Sequence, residues 1–190
     1  MDQAEFASVL EAARVGADWA WSRLYADLAP PVLGYLRTRG AAEPEDLLGE
    51  VFLQLARNLP NFSGDYGGFR SWVFGIAYHR VIDERRYRAL RPTDPGDVPE
   101  SSDVQNDPAD LAAESLTTAA IVALLGTLTA GQRDVLLLRI VAGLTIDEVA
   151  TVMGKRVGAV KALQRRGVRE LRQRIDGVPL DARSPVARVR

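Results

Sequence analysis

The chain has 190 residues, with 24 basic and 25 acidic side chains, a net charge of −1 and 47% hydrophobic residues. This is enough for one ordinary domain or two small ones, and too apolar for a disordered chain. With no Cys and one histidine, His79, the sequence excludes disulfides, thiolate metal sites and paired-His chemistry. No stretch approaches the roughly 18 apolar residues of a membrane helix, and the start lacks a basic and apolar export pattern. No membrane insertion and a cytoplasmic location are therefore expected.

Helical periodicity dominates from the start. Helices are predicted around Phe6–Val15, Trp19–Arg39, Glu43–Leu59 and Gly68–Leu90. Pro30-Pro31 is expected to kink or restart the second. The third, "EPEDLLGEVFLQLARNL", carries Pro44 in its first turn and Glu43, Glu45 and Asp46 at the positive end of the helix dipole. Its buried stripe is Leu47, Leu48, Val51, Phe52 and Leu55, while Asp46, Glu50, Leu53 and Arg57 fall on another face. "NLPNFSGDYGG", residues 58–68, reads as a loop from its Pro, Asn, Ser and Gly content.

The fourth helix, "FRSWVFGIAYHRVIDERRYR", mixes aromatic side chains with arginine, and six Arg occur between Arg70 and Arg91. Rings that stack on bases and guanidinium groups that follow phosphates suit single-stranded nucleic acid. Trp72 and Ile76 taken singly are better explained as core.

From Pro92 to Glu114 there are seven acidic residues and no basic one, punctuated by Pro92, Pro95, Pro99 and Pro108. Such a segment cannot pack a core and reads as an acidic linker or solvated spacer. Short helices follow at Leu111–Gly126, Ala130–Val141, Ile146–Met153 and Val157–Ile175. "TAGQ" at Thr129 and "TIDE" at Thr145 fit the capping box.

The last helix is strongly basic: Gly154–Arg174 holds eight Lys or Arg and one acidic residue, Glu170. At about 100° per residue, Val157, Val160, Gly167, Val168, Leu171 and Ile175 share one face. Arg165, Arg169 and Arg172 take the other, flanked by Lys161 and Arg166. A short capped helix, a Gly turn at "MGKR" and a longer basic helix make a helix-turn-helix. Small Gly158, Ala159 and Ala162 allow close approach to a major groove, and the cations suit phosphates and guanine. The fold class expected is all-α: two small helical domains joined by an acidic linker, the C-terminal one a helix-turn-helix.

The ordered pair of motifs, "EDLLGEVFLQLARNLPNFSGDYGGFRSWVFGIAYHRVIDERR" and "LTAGQRDVLLLRIVAGLTIDEVATVMGKRVGAVKALQRRGVRELR", resembles bacterial RNA polymerase sigma factors of the extracytoplasmic-function class. The resemblance spans about Phe6 to Ile175 and implies four segments. Residues 1–91 form a region 2 domain, 92–110 the linker, 111–176 a region 4 domain, and 177–190 a flexible tail. It implies core-polymerase binding by Asp46, Glu50, Leu53 and Arg57. The partners are the clamp helices of the largest subunit and the flap of the second-largest.

It implies −10 element capture by Asn61, Phe62, Ser63, Tyr66, Arg70, His79, Arg80, Arg85 and Arg86, with a base flipped into the loop. It implies −35 element binding by Lys155, Arg156, Gly158, Ala159, Lys161, Ala162, Arg165, Arg166 and Arg169. Promoter DNA is the ligand, and many members of the class are held by an anti-sigma factor. The acidic linker would thread toward a positively lined polymerase channel, which explains why basic and acidic segments are segregated while the total nearly cancels.

Departures from the class pattern fall at Gly49, where Gln is usual, at His79, where Asn is usual, and at Arg156, Ala159, Ala162 and Leu163 in the recognition helix. The class's −35 sequence is therefore not carried over. The alternative is a stand-alone helix-turn-helix regulator with an N-terminal dimerising or sensing domain, which would bind duplex DNA tightly without polymerase. An enzyme fits poorly. Asp46/Glu50 and Asp147/Glu148 are explained by capping and solvation, and there is no Gly-rich phosphate loop, activated nucleophile or metal constellation. No cofactor is expected.

Overall fold

A computed structural model describes residues 1–90 and 123–176. The acidic linker, the start of the helix expected at Leu111 and the tail from 177 lie outside the described residues. The described chain is helical throughout: α1 Gln3–Arg14, α2 Asp18–Arg39, α3 Pro44–Asn58, a 3-10 turn Leu59–Asn61, α4 Tyr66–Leu90, α5 Ala130–Ile140, α6 Ile146–Met153 and α7 Val157–Asp176. Helical residues 123–126 lead into α5.

α1 to α4 pack around Phe6, Leu24, Leu28, Tyr35, Leu36, Leu55, Phe69, Val73 and Phe74, all buried. Each such side chain contributes about 1.5–3 kcal/mol on leaving water. That drive explains why α2 runs as one helix through Pro30 and Pro31 rather than restarting there. Two prolines cost hydrogen bonds and about 3 kcal/mol or more each in a helix interior. Buried Leu24, Leu28, Ala29 and Val32 on both sides of them hold the segment against the core.

The end of α2 is clamped by α4. Gly40 adopts the left-handed conformation, φ 74°, which closes the helix without a Cβ penalty. Arg85 donates to Arg39 O, Arg88 Nη2 to Gly40 O at 3.2 Å, and Ala42 N donates to Glu84 Oε1 at 2.9 Å. Carbonyls that α2 leaves open at its C-terminus are thus satisfied by side chains one turn apart on α4.

In the C-terminal unit both expected capping boxes form. Thr145 Oγ1 accepts from Glu148 N at 3.3 Å while Glu148 Oε2 accepts from Thr145 N at 2.6 Å, and Thr129 and Gln132 do the same. Gly154, φ 60°, ends α6 in the left-handed region and turns the chain into α7. Val149, Ala150, Val152 and Met153 of α6, Val160 of α7 and Val135, Leu136, Leu137 and Leu138 of α5 are all buried, and α7 packs on both α5 and α6. Gly167 lies where α7 crosses α5: a Cβ there would stand 3.1 Å from Leu136 Cδ1 and 3.3 Å from Gln132 Cβ. Ile175, expected on the apolar face, is exposed near the helix end.

Candidate functional site

Three surfaces carry the residues singled out above. The first is α3. Its amphipathic pattern buries Leu47, Leu48, Val51 and Leu55, and that rotation presents Asp46, Glu50, Leu53 and Arg57 to solvent. Leu53 is 59% exposed, an apolar side chain ringed by charge. Gly49 sits on the same outer side, and a Cβ added there would meet nothing within 4 Å. Glu50 Oε2 also lies 3.4 Å from Arg80 Nη1 on α4.

The second surface is the loop after α3 with α4. Asn61 and Ser63 are exposed. Phe62 is half-buried and stacks on Trp72 at 5.1 Å and 12°, with Phe69 edge-on to both. Trp72 is therefore half-buried packing, and Ile76 is core. Tyr66 donates its hydroxyl to Asp27, and Arg70 sits over its ring at 5.7 Å. Burial, followed by the bond to Asp27, pushes the Tyr66 hydroxyl pKa up.

Further along α4, Arg80 donates from Nε and Nη2 to Gln54 Oε1 at 3.1 and 2.8 Å. Arg85 is taken up in closing α2, and its pKa is lowered by burial and then by neighbouring Arg39 and Arg133. Arg86 faces Asp83 at 3.6 Å. His79 is exposed, its ring 5.3 Å from that of Tyr78.

The third surface is α7. Lys155, Arg156, Gly158, Ala159, Lys161, Arg165, Arg166 and Arg169 are exposed, and Ala162 is half-exposed. The side chains of Lys155, Arg156, Lys161, Arg165 and Arg169 have no hydrogen-bond or ion-pair partner among the described residues. Lys161, Arg165, Arg169 and Arg172 line a shallow groove floored by Ile146 and Val168. A convex helix with small residues near its start and free cations beyond them fits the major groove of duplex DNA, where such charges displace counterions from phosphates.

Two features carry no signal in the sequence. Gln54 holds Arg80, which no spacing along one helix announces. Arg39 of α2 and Asp134 of α5 form an ion pair, Nε to Oδ1 2.5 Å, that joins the two units. Among the described residues no cluster of three or more His, Asp or Glu could hold a metal ion, and no helix is long and apolar enough to cross a membrane.

Residues 24–91 match the family model for sigma-70 region 2, and residues 118–171 the model for sigma-70 region 4. The ECF RNA polymerase sigma factor BldN of Streptomyces coelicolor is 34% identical over 185 residues, covering 96% of this chain and 69% of that protein. SigD of Mycobacterium tuberculosis is 32% identical over 155 residues, covering 78% of this chain and 73% of that protein. In fold, the chain resembles the solved structure of CnrH with the cytosolic domain of CnrY: TM-score 0.67, 23% identity, 90% of this chain and 97% of that one. Two promoter-directed modules in the order the motifs required, with similarity along nearly the whole chain, decide against a free-standing regulator. The chain belongs to the ECF RNA polymerase sigma factors, non-enzymatic subunits that bind polymerase and DNA and direct promoter-specific transcription initiation.

Proposed function

We propose that the work is divided among the three surfaces. The α3 face of Asp46, Glu50, Leu53 and Arg57 docks on the clamp helices of core polymerase. The 59–69 loop with α4 captures the −10 element. α7 reads the −35 element with Lys155, Arg156, Lys161, Arg165, Arg166 and Arg169, while Gly158, Ala159 and Ala162 let the backbone approach. The observation that carries this reading is the set of unpaired cations on an exposed helix-turn-helix face. Charges held for internal packing would have partners; these are kept for a polyanion.

The −10 assignment is supported by a mixed aromatic and arginine surface, with Asn61, Ser63 and His79 open to solvent. Capture of unpaired bases contributes about 1–3 kcal/mol per stacked base, which offsets the cost of strand separation. The domain limits follow the same division: 1–91 for the first unit, 92–110 for the linker, 111–176 for the second and 177–190 for the tail. The site of action is the cytoplasm, with the flap of the second-largest subunit beside the C-terminal unit. An anti-sigma factor is a further partner, on the pattern of the CnrH–CnrY complex.

In vitro transcription with purified core polymerase on a promoter library tests the assignment. The expected result is enrichment of one paired −35/−10 class. Replacing Asp46 and Glu50 by Ala together is expected to weaken holoenzyme assembly while circular dichroism stays native. Unimpaired assembly would remove α3 from the docking role.

A further inference from the structure

The 59–69 loop is held from outside by α1, a helix that belongs to none of the three surfaces. α1 also precedes the sigma-70 region 2 match, which begins at residue 24. Gln3 and Arg14 stand three helical turns apart, so both leave the same side of α1, about 16 Å from one another along its axis. Phe6, Val9, Leu10 and Ala13 between them are buried and fix α1 against the core.

Each of the two polar side chains takes one end of the loop. Arg14 Nη2 donates to Phe62 O, and Gln3 Oε1 accepts from Tyr66 N at 2.9 Å. Phe6 supports the second end, its ring 5.4 Å from that of Tyr66 and 5.1 Å from that of Phe69. Ser63, Gly64 and Asp65, between the two tied groups, are exposed.

Backbone groups of a surface loop can be satisfied by water, so these two need no protein partner for the fold's sake. Tied to one rigid helix, they fix the separation of the loop's ends and leave its tip free to meet a ligand. A loop held in this way has less freedom to lose when an unpaired base enters it. A loop that visits the accepting shape only part of the time binds with an affinity reduced by that fraction. Neither Gln3 nor Arg14 has to touch DNA to have this effect.

We propose that α1 is a splint for the −10 loop, and that Gln3 and Arg14 are positioning residues for capture of the unpaired base. This rests on the assignment of the 59–69 loop to the −10 element made above.

Variants of the full-length chain test it. Gln3→Leu removes the acceptor at an exposed position, and Arg14→Met removes the donor while keeping an unbranched side chain. In the free protein, exchange of the Tyr66 amide is expected to speed up about tenfold or more in Gln3→Leu, with helical content unchanged. Level exchange overturns the splint. Holoenzyme assembled from either variant is expected to bind a single-stranded oligonucleotide, carrying the −10 sequence recovered from the promoter library, about three- to tenfold more weakly. Assembly with core polymerase and affinity for −35 duplex are expected to stay level. Arg14→Lys keeps a donor and is expected to restore most of what Arg14→Met loses.

The salt dependence of oligonucleotide binding separates positioning from direct contact. Arg14→Met is expected to leave the slope unchanged; a slope smaller by about 0.7 makes Arg14 a phosphate ligand and overturns its positioning role. Native oligonucleotide affinity in both variants overturns the splint and leaves the loop's −10 role intact. If the unaltered holoenzyme does not prefer that oligonucleotide over a scrambled one, the −10 assignment falls and the splint's purpose with it.

Discussion

The arginines of α4 and the cations of α7 look alike in sequence and behave differently in the fold. On α4, Arg70, Arg80, Arg85, Arg86 and Arg88 each have a partner: a carbonyl, Gln54, a helix end or a carboxylate. On α7, Lys161, Arg165 and Arg169 have none among the described residues. The difference follows from where each helix sits. α4 runs between α2, α3 and α6, so its long side chains meet protein in most directions. α7 rests on α5 and α6 along one face, and Lys161, Arg165 and Arg169 on its outer face are exposed. A run of arginine thus carries two meanings, and the neighbours each side chain meets separate them.

The largest expected break in this contrast is on α7. Arg165→Gln with Arg169→Gln should lower affinity for −35 duplex DNA about tenfold or more at moderate salt and reduce the salt slope by about 2. Fluorescence anisotropy across a salt series measures both. The melting temperature should stay within about 1 °C, because neither side chain holds the fold.

Arg85→Ala should do the reverse. Losing its bond to Arg39 O and one charge beside Asp134 is expected to cost about 1–3 kcal/mol by urea unfolding. An unchanged midpoint would show that α4 does not close α2.

Smaller still is Gly49→Ala on α3. The position is helical and open, so the variant should gain about 0.5–1 kcal/mol of stability, read from the same urea titration.

The smallest effect is Glu45→Gln. Glu45 Oε1 accepts from Arg37 Nη2 at 2.5 Å, and that bond lowers the carboxyl below its ordinary 4.5. A depressed carboxylate contributes stability above the ordinary value and loses it as pH falls through the depressed one. The pair is half-exposed, so its loss should cost about 0.2–1 kcal/mol at pH 7 and vanish in acid, read from unfolding at both pH values.

Local signals are legible in the sequence and distant ones are not. Thr129 and Thr145 each announce a helix start because the capping box needs only residues three apart. Gly154 announces a turn, and the charge-free rows of α3 and α7 announce their buried faces. Pro30-Pro31 does not restart the helix, because proline is a local penalty and the core that overrides it is built by other helices.

The role of Asp134 cannot be read from "GQRDVLLLRI", since its partner belongs to the other unit. The same holds for Phe62, whose ring the family resemblance offers to bases and the fold lays against Trp72. The surfaces of α3 and α7 are therefore visible as patterns, while the fate of each α4 side chain depends on contacts that no periodicity encodes.

Gly167 has a bearing on how such a protein can be retargeted. A side chain at the position would press on Leu136 and Gln132 by a few tenths of an ångström, so the close approach of α7 to α5 there helps set the tilt at which the helix is offered to DNA. The exposed residues in front share no packing with that pivot. Base preference can then be rewritten by exchanging outward side chains, with the mounting left as it is.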